Sequence, residues 1–471
     1  KTEYTYDKAG RLIHICQHGQ AEEADRITQY ERDAFGQIVC IRDALGGEEQ
    51  FHYDALGRII EKIDKEGHSI FYTYTADSKP ESILYSDGNR AELEYTPLRQ
   101  LAVIKDWLGE TRINRDNQGN PVSITNHKGE TVHYQWGSMG ERQKITYPDG
   151  TKVSWKYDSL LRPIQMNRIA ENKEPLWIDY KYNRQGHLTE KKSAGGYRTL
   201  WIYNESGQLE ELLHEDTAGV LDKFHYTYDA MGNKTAIQKQ RRGLPEESGC
   251  YQYSYDKLQR LIGVEKDGKH IRSYQYDTFS NRIEMEDNTK GIKNIYQYNA
   301  LNQLIEQKIW ETPDITTKIN TFINENDIDN IKHNNNTKIL HKTFTYDKRG
   351  NLTGEYQEDA LLHGYHFNRM NRLEKAWNHQ GEEAQYFYNA LGQRTGRTAN
   401  GEREDYLLDL TKPYHNLLEL QKGKQTQTFF WDFNAAVMED EKRNLQYYLQ
   451  DDLGSPLRVL YRNGYGEAYG Y

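Results

Sequence analysis

Along most of the chain an aromatic residue, a polar residue and a second aromatic lead into a short polar phrase and then an apolar pair. Residues 51–60 show the pattern: Phe51 and Tyr53 flank His52, Asp54-Ala55-Leu56-Gly57-Arg58 follows, and Ile59-Ile60 closes it. A spacing of two puts both rings on one face of a strand. Asp at the first position of the phrase and Gly at the fourth is the signature of a type I β-turn. The Asp oxygen can accept a backbone N–H two residues on. The Gly can take positive φ and release the chain into the next strand, as in a three- to five-residue hairpin loop.

The phrase recurs. Anchored on the position of Tyr53, copies stand at Tyr6, Arg32, Tyr53, Tyr74, Tyr95, Arg115, Trp136, Tyr157, Tyr182, Tyr203, Tyr228, Tyr255, Tyr276, Tyr298, Tyr346, Phe367 and Tyr388. Nine of the 16 steps are 21 residues and one is 48, between Tyr298 and Tyr346. A fixed period of this size marks a repeat architecture. The complete triplet occurs as Tyr6, Asp7 and Gly10; Tyr53, Asp54 and Gly57; Tyr182, Asn183 and Gly186; Tyr203, Asn204 and Gly207; Tyr228, Asp229 and Gly232; Tyr346, Asp347 and Gly350; and Tyr388, Asn389 and Gly392. Tyr157-Asp158, Tyr255-Asp256, Tyr276-Asp277 and Tyr298-Asn299 keep its first two members.

A second turn lies between anchors, as SDGN at 86–89 and YPDG at 147–150. One period therefore holds two turns and two strands of about seven residues, near the usual strand length. The pattern predicts an all-β chain, a long antiparallel meander of about thirty strands. One face of the sheet would be tiled with rings and the other charged, as Glu61, Lys62, Asp64 and Lys65 suggest. A two-layer core would demand more aliphatic residues than such a chain offers, so a single curved sheet wrapping a space is expected.

Composition supports a folded but thinly apolar protein. Hydrophobic residues make up 36 % and mean hydropathy is -0.98, yet 12 % of residues are aromatic and only 10 are proline. The net charge of -10 argues against a nucleic-acid binder, which should carry a basic stripe. Three widely spaced cysteines, Cys16, Cys40 and Cys250, make no disulfide framework. No apolar run approaches the roughly 18 residues of a membrane helix. The chain opens inside one copy of the phrase and closes on Tyr469 and Tyr471, inside another, and is read as a fragment.

The repeated Y-D-x-x-G-R resembles the YD repeat of the Rhs family: bacterial Rhs and wall-associated polymorphic toxin proteins, with toxin-complex C components and teneurins as relatives. Tyr448, Asp451, Leu453, Gly454 and Ser455 resemble the family's Y-x-x-D-x-L-G-S segment. The resemblance implies a spiralling sheet forming a hollow shell (a β-cocoon), or part of one. It divides the chain into a repeat array at 1–404, with a degenerate or loop-like insertion at 306–343, and a shell segment at 405–471. It implies a secreted or cell-surface bacterial protein. Its partners would be its own C-terminal toxin domain, neighbouring shell segments and a delivery machinery. The family's autoprotease motif, D-P-x-G-L, does not occur in the sequence.

No catalytic, cofactor-binding or metal-binding residue is expected. His14, Cys16 and His18 share a strand face but lack a fourth ligand, and read as a surface strand. NENDIDN at 324–330 lacks the Gly and distal Glu of a calcium loop. Asp451-Asp452 reads as a turn, not as paired acid–base carboxylates. Asn204, Asn233, Asn335 and Asn351 open sequons that matter only in a eukaryotic secreted protein. The leading expectation is a non-enzymatic shell wall around a toxin. The alternative is surface adhesion through ring stacking on glycans, with Trp107, Trp136, Trp155, Trp201 and Trp431 as the rings to test. A lyase or hydrolase on a β-solenoid is the third reading, without a convergent acid–base set to support it.

Overall fold

The computed structural model describes residues 1–19, 23–169, 173–311, 338–412 and 416–470. They form 41 β-strands, and the single helical piece among them is a 3₁₀ turn at Pro245–Glu247. Strands consecutive in the chain pair antiparallel, from Thr2–Tyr6 with Leu12–Gln17 to Pro456–Tyr461 with Gly466–Ala468. The protein is all-β, one long meander.

Each of the 17 anchors is the last residue of its strand. The ladder slips by one residue just before the anchor, so that Tyr53 faces Ile59 and Tyr157 faces Pro163. This is the bulge that a left-handed residue at the end of a type I turn produces. The count exceeds about thirty because seven strands, from Glu402–Asp409 to Gly466–Ala468, continue the meander without the phrase. The 48-residue step holds one period: Leu304–Glu311 pairs directly with Lys338–Tyr346. The ends of the expected 306–343 insertion, 306–311 and 338–343, are strand; the rest of it, 312–337, with NENDIDN and Asn335, lies outside the described residues.

The chain folds as two compact units. The first comprises Lys1–Ser78, Ile83–Gly88 and Gln252–Gln385; the second comprises Lys79–Ser82, Asn89–Tyr251 and Tyr386–Tyr471. Within the second unit the expectation of a single-layer wall is corrected. Ile113, Ile145, Val153, Ile178 and Leu221 from the earlier run share one buried core with Leu407, Leu418, Phe430, Val437, Leu445 and Leu460 from the later run. Rings join the runs: Tyr147 and Phe430 have centroids 5.9 Å apart, Tyr197 and Tyr447 5.7 Å. The aliphatic content is low on average but concentrated here, on alternate positions of strands such as Thr131–Trp136 and Leu445–Gln450.

Candidate functional site: the repeat latch and the buried charge row

The phrase builds its own turn. At the first copy Gly10 N–H donates to Asp7 O (3.0 Å) and Asp7 N–H to Arg11 O (2.9 Å). Asp7 Oδ1 accepts from the N–H groups of Ala9 and Arg11, each at 2.9 Å. The same pair of bonds recurs at Asp54, Asp158, Asp229 and Asp256. The backbone N–H of the following Arg holds Asp7, Asp54 and Asp256 below the usual carboxylate range. The fourth turn position is left-handed at every anchor. Ten copies place Gly there, and Ser78, Arg99, Leu161, Gln259, Ser280, Asn302 and Asn371 adopt positive φ without it.

The Arg of the phrase does two jobs. Arg58, Arg162 and Arg260 each donate from Nε to their own Asp at 2.7 Å. Each guanidinium then lies 4.7 Å from the ring centroid of the next anchor, Tyr74, Tyr182 and Tyr276. Cation–π contacts of this kind contribute about 0.5–1 kcal/mol at exposed sites.

The anchor is a latch, which the sequence did not disclose. Tyr53 Oη donates to Ile38 O (2.7 Å), Tyr74 to Ile59 O (2.7 Å), Tyr157 to Arg142 O (2.7 Å) and Tyr276 to Leu261 O (2.8 Å). The acceptor always stands six residues after the preceding anchor, where the next strand begins. Trp136 Nε1 reaches Pro121 O at 2.7 Å, and Arg32 and Arg115 reach Leu12 O and Leu101 O through their Nε at 3.3 Å. Thus Tyr, Trp and Arg interchange at the anchor because each is a long side chain ending in a donor. Their shared donor was the available signal; reading the anchors as rings alone hid it.

In the second unit a row of charges crosses between the two runs. Arg142 pairs with Asp409 and Arg168 with Glu439. Lys128 pairs with Asp405 at 2.5 Å and Lys191 with Asp432 at 2.6 Å. Acids lie on the later run and bases on the earlier. The polarity reverses at Arg462, which pairs with Glu174 at 3.1 Å, and at fully buried Asp222, which receives Arg458 Nε at 2.7 Å and Arg241 Nε at 3.0 Å. Burial works against the Asp222 carboxylate, but the two guanidiniums hold it below its ordinary value. Among the described residues no guanidinium pairs with Glu419: burial, with Asp149 nearby, pushes it up to about 7. His214 is pushed down to about 4 by burial, with Nδ1 2.9 Å from Thr199 Oγ1 and Nε2 3.0 Å from Gln450 O.

The C-terminal segment repeats the turn chemistry. Asp451 Oδ1 accepts from Leu453 N–H (2.9 Å) and Ser455 N–H (2.8 Å), Gly454 has φ +90°, and Leu453 is 83 % exposed. Tyr448 Oη lies 3.9 Å from Met438 Sδ on the neighbouring strand. Asp452 turns away from Asp451 and joins Lys234 and the Tyr226 hydroxyl (3.3 Å) of the earlier run. The five tryptophans weighed for glycan stacking are half-buried. The indole N–H groups of Trp107, Trp136 and Trp431 donate to Tyr388 O, Pro121 O and Leu417 O. Of the three residues weighed as metal ligands, Cys16 and His18 meet, with Asp25 joining them, and His14 is not among them.

With this geometry the chain matches the Teneurin YD-shell family over residues 1–105, 99–220 and 220–466. It is 24 % identical over 490 residues to the double-stranded DNA deaminase toxin A of Burkholderia cenocepacia, covering 95 % of this chain and 32 % of that protein. It is 24 % identical over 440 residues to the tRNA3(Ser)-specific nuclease WapA of Bacillus spizizenii, covering 90 % and 15 %. Among solved structures, a TcdB2-TccC3 crystal structure superposes with a TM-score of 0.66 at 15 % identity, covering 98 % of this chain and 28 % of that one. The chain spans a third or less of the length of these relatives.

Proposed function

Because the chain belongs to the Teneurin YD-shell family, we propose that it is the wall of an Rhs-type shell enclosing a C-terminal toxin or effector domain, and that it does no chemistry itself. The latch carries this reading. Thirteen anchors fasten each period to the one before through a hydrogen bond to its first strand residue. Such a device serves to propagate a wall, because each repeat completes its neighbour. The name of one relative, a double-stranded DNA deaminase toxin, supports the same assignment. On this reading 1–404 is the repeat array and 405–471 a C-terminal shell segment that precedes the family's core end. The protein would be secreted or displayed on a bacterial surface, with a delivery machinery as a further partner. No helix among the described residues is long and apolar enough to cross a membrane.

Surface adhesion is the second reading, moved from the tryptophans to the turn tips. Phe35, Leu56, Met139, Leu160, Met231 and Leu258 occupy the third turn position and are 66–91 % exposed. Exposed apolar tips of this kind suit a protein partner. Reading the gene beyond the codon for Tyr471 separates the two. A D-P-x-G-L motif followed by a compositionally distinct domain supports encapsulation, and that domain should resist protease until the wall is opened. A stop, a wall anchor or further repeats without that motif transfers the function to the tips.

A further inference from the structure

Strands Thr2–Tyr6, Leu12–Gln17 and Arg26–Arg32 pair in order, and Glu3 stands opposite Cys16. His18 follows the second strand and Asp25 precedes the third. Their donor atoms close a triangle. Cys16 Sγ is 3.8 Å from His18 Nδ1 and 3.7 Å from Asp25 Oδ2, and Nδ1 is 3.0 Å from the same oxygen. On the other side of the ring, Nε2 lies 3.1 Å from Glu3 Oε2.

We infer that Cys16, His18 and Asp25 form a binding site for a divalent transition-metal ion, with zinc the best fit to the donors. A tetrahedral zinc with bonds of about 2.3 Å to sulfur and about 2.0–2.2 Å to nitrogen and oxygen sets donor–donor edges of about 3.3–3.6 Å. The three observed edges bracket those values. Thiolate, imidazole and carboxylate together select a borderline-soft ion over calcium or magnesium. Glu3 gives the imidazole its orientation: it accepts the Nε2 proton and leaves the Nδ1 lone pair for the metal, the arrangement usual around metal-bound histidines. Three protein ligands leave a fourth position for water. Binding deprotonates the Cys16 thiol and releases that proton to solvent. The competing account is an imidazolium held between Glu3 and Asp25. It explains the two carboxylates and leaves the Cys16 thiol one long hydrogen bond, 3.7 Å to Asp25 Oδ2.

The proposal is independent of encapsulation and is tested on the whole chain. The protein is stripped with chelator and titrated with Co²⁺. Expected are one equivalent bound, the visible absorption of a tetrahedral site and a thiolate-to-metal charge-transfer band, all displaced by Zn²⁺. Cys16→Ser should abolish the charge-transfer band while Cys250→Ser keeps it. Glu3→Gln should weaken binding about 10–100-fold. Circular dichroism of each variant confirms that the fold persists. The spectrum of hydrated cobalt at one equivalent, or a charge-transfer band that survives Cys16→Ser, overturns the site and leaves an ion pair only.

Discussion

The same repeat runs through both compact units, yet only one of them carries an extended apolar core among the described residues. In the second unit the two runs bury Ile145, Val153, Met166, Ile178, Phe430 and Val437, all under 2 % exposed. In the first unit the buried apolar side chains among the described residues are Cys40, Tyr85, Val264 and Tyr296. There the runs meet through polar and cation–π contacts. Arg26 lies 3.5 Å from the Phe279 ring centroid, and Lys348 N–H donates to Glu66 at 2.5 Å. A cavity of about 620 Å³ lies there, lined by residues such as Asp43, Lys65, Phe344 and Tyr346, against cavities of about 400 and 380 Å³ in the second unit. The phrase therefore supplies a ladder and not a core. The core depends on what each strand carries between phrases and on the run that faces it.

The largest expected effect breaks this comparison at its charges. Asp222→Asn leaves Arg241 and Arg458 buried without the one carboxylate that both guanidiniums face. Breaking a buried pair this way costs about 3–5 kcal/mol. In the first unit Lys62 pairs with Glu49 at 3.0 Å, with both side chains about 30 % exposed. Lys62→Met there should cost under about 1 kcal/mol. Urea unfolding of the two variants measures the difference; equal losses would mean that the buried charges of the second unit are screened as well as the exposed pair of the first.

How much of this was legible follows from where each signal is stored. The turn was readable because Asp54 and Gly57 are four residues apart and their chemistry is local. The strands were readable because Phe51 and Tyr53 keep a period of two. The latch lies 15 residues back, at Ile38 O, and a backbone carbonyl leaves no mark in a sequence. The two-layer core was missed because Ile145 and Phe430 are far apart in the chain, and average composition conceals local enrichment. Asp25 was missed for a like reason: it joins Cys16 and His18 only once the second and third strands pair. Asp452 was weighed with its neighbour Asp451, although its partners, Tyr226 and Lys234, lie on the earlier run.

The next effect appears only with pH. Glu419 titrates near 7 in the fold against 4.5 when unperturbed. A raised carboxyl contributes its stability fully below pH 4.5, and that stability is lost as pH rises through 7. Glu419→Gln should therefore stabilise the protein by about 1–3 kcal/mol at pH 8 and by almost nothing at pH 4.5. A gain of equal size at both pH values would contradict the buried, unpaired state of this carboxyl. His214 acts in the opposite sense. Its folded value near 4 means that stability falls as pH drops from 6.5 toward 4. With Glu419 replaced, that acid-side loss should stand alone and steepen.

Removing one latch hydroxyl is a smaller change. Tyr157→Phe in the second unit and Tyr276→Phe in the first each delete one bond to a strand-opening carbonyl. Each should cost about 0.5–1.5 kcal/mol. Chemical denaturation and amide exchange at Arg142 and Leu261 would read them. If the latch fastens only neighbouring periods, faster exchange stays within one repeat. Opening across a whole unit would show that the latch also secures the facing run.

The smallest expected effect is a gain, and it tests whether the turn ignores its surroundings. Leu161 and Gln259 occupy the fourth turn position at φ +59° and +63°. For a residue with a Cβ this conformation costs about 1–2 kcal/mol. Glycine removes that cost but enlarges the freedom of the unfolded chain, a penalty of about 0.5–1 kcal/mol. Leu161→Gly and Gln259→Gly should each therefore stabilise by about 0.5–1 kcal/mol. One lies in the unit with the extended apolar core and the other in the unit without it. Equal gains in thermal or urea midpoints would show that the turn energy is local and is the same wherever the phrase stands. A loss at Leu161 alone would mean that its half-exposed side chain, beside Trp155 and Trp431, already belongs to the packing between the two runs.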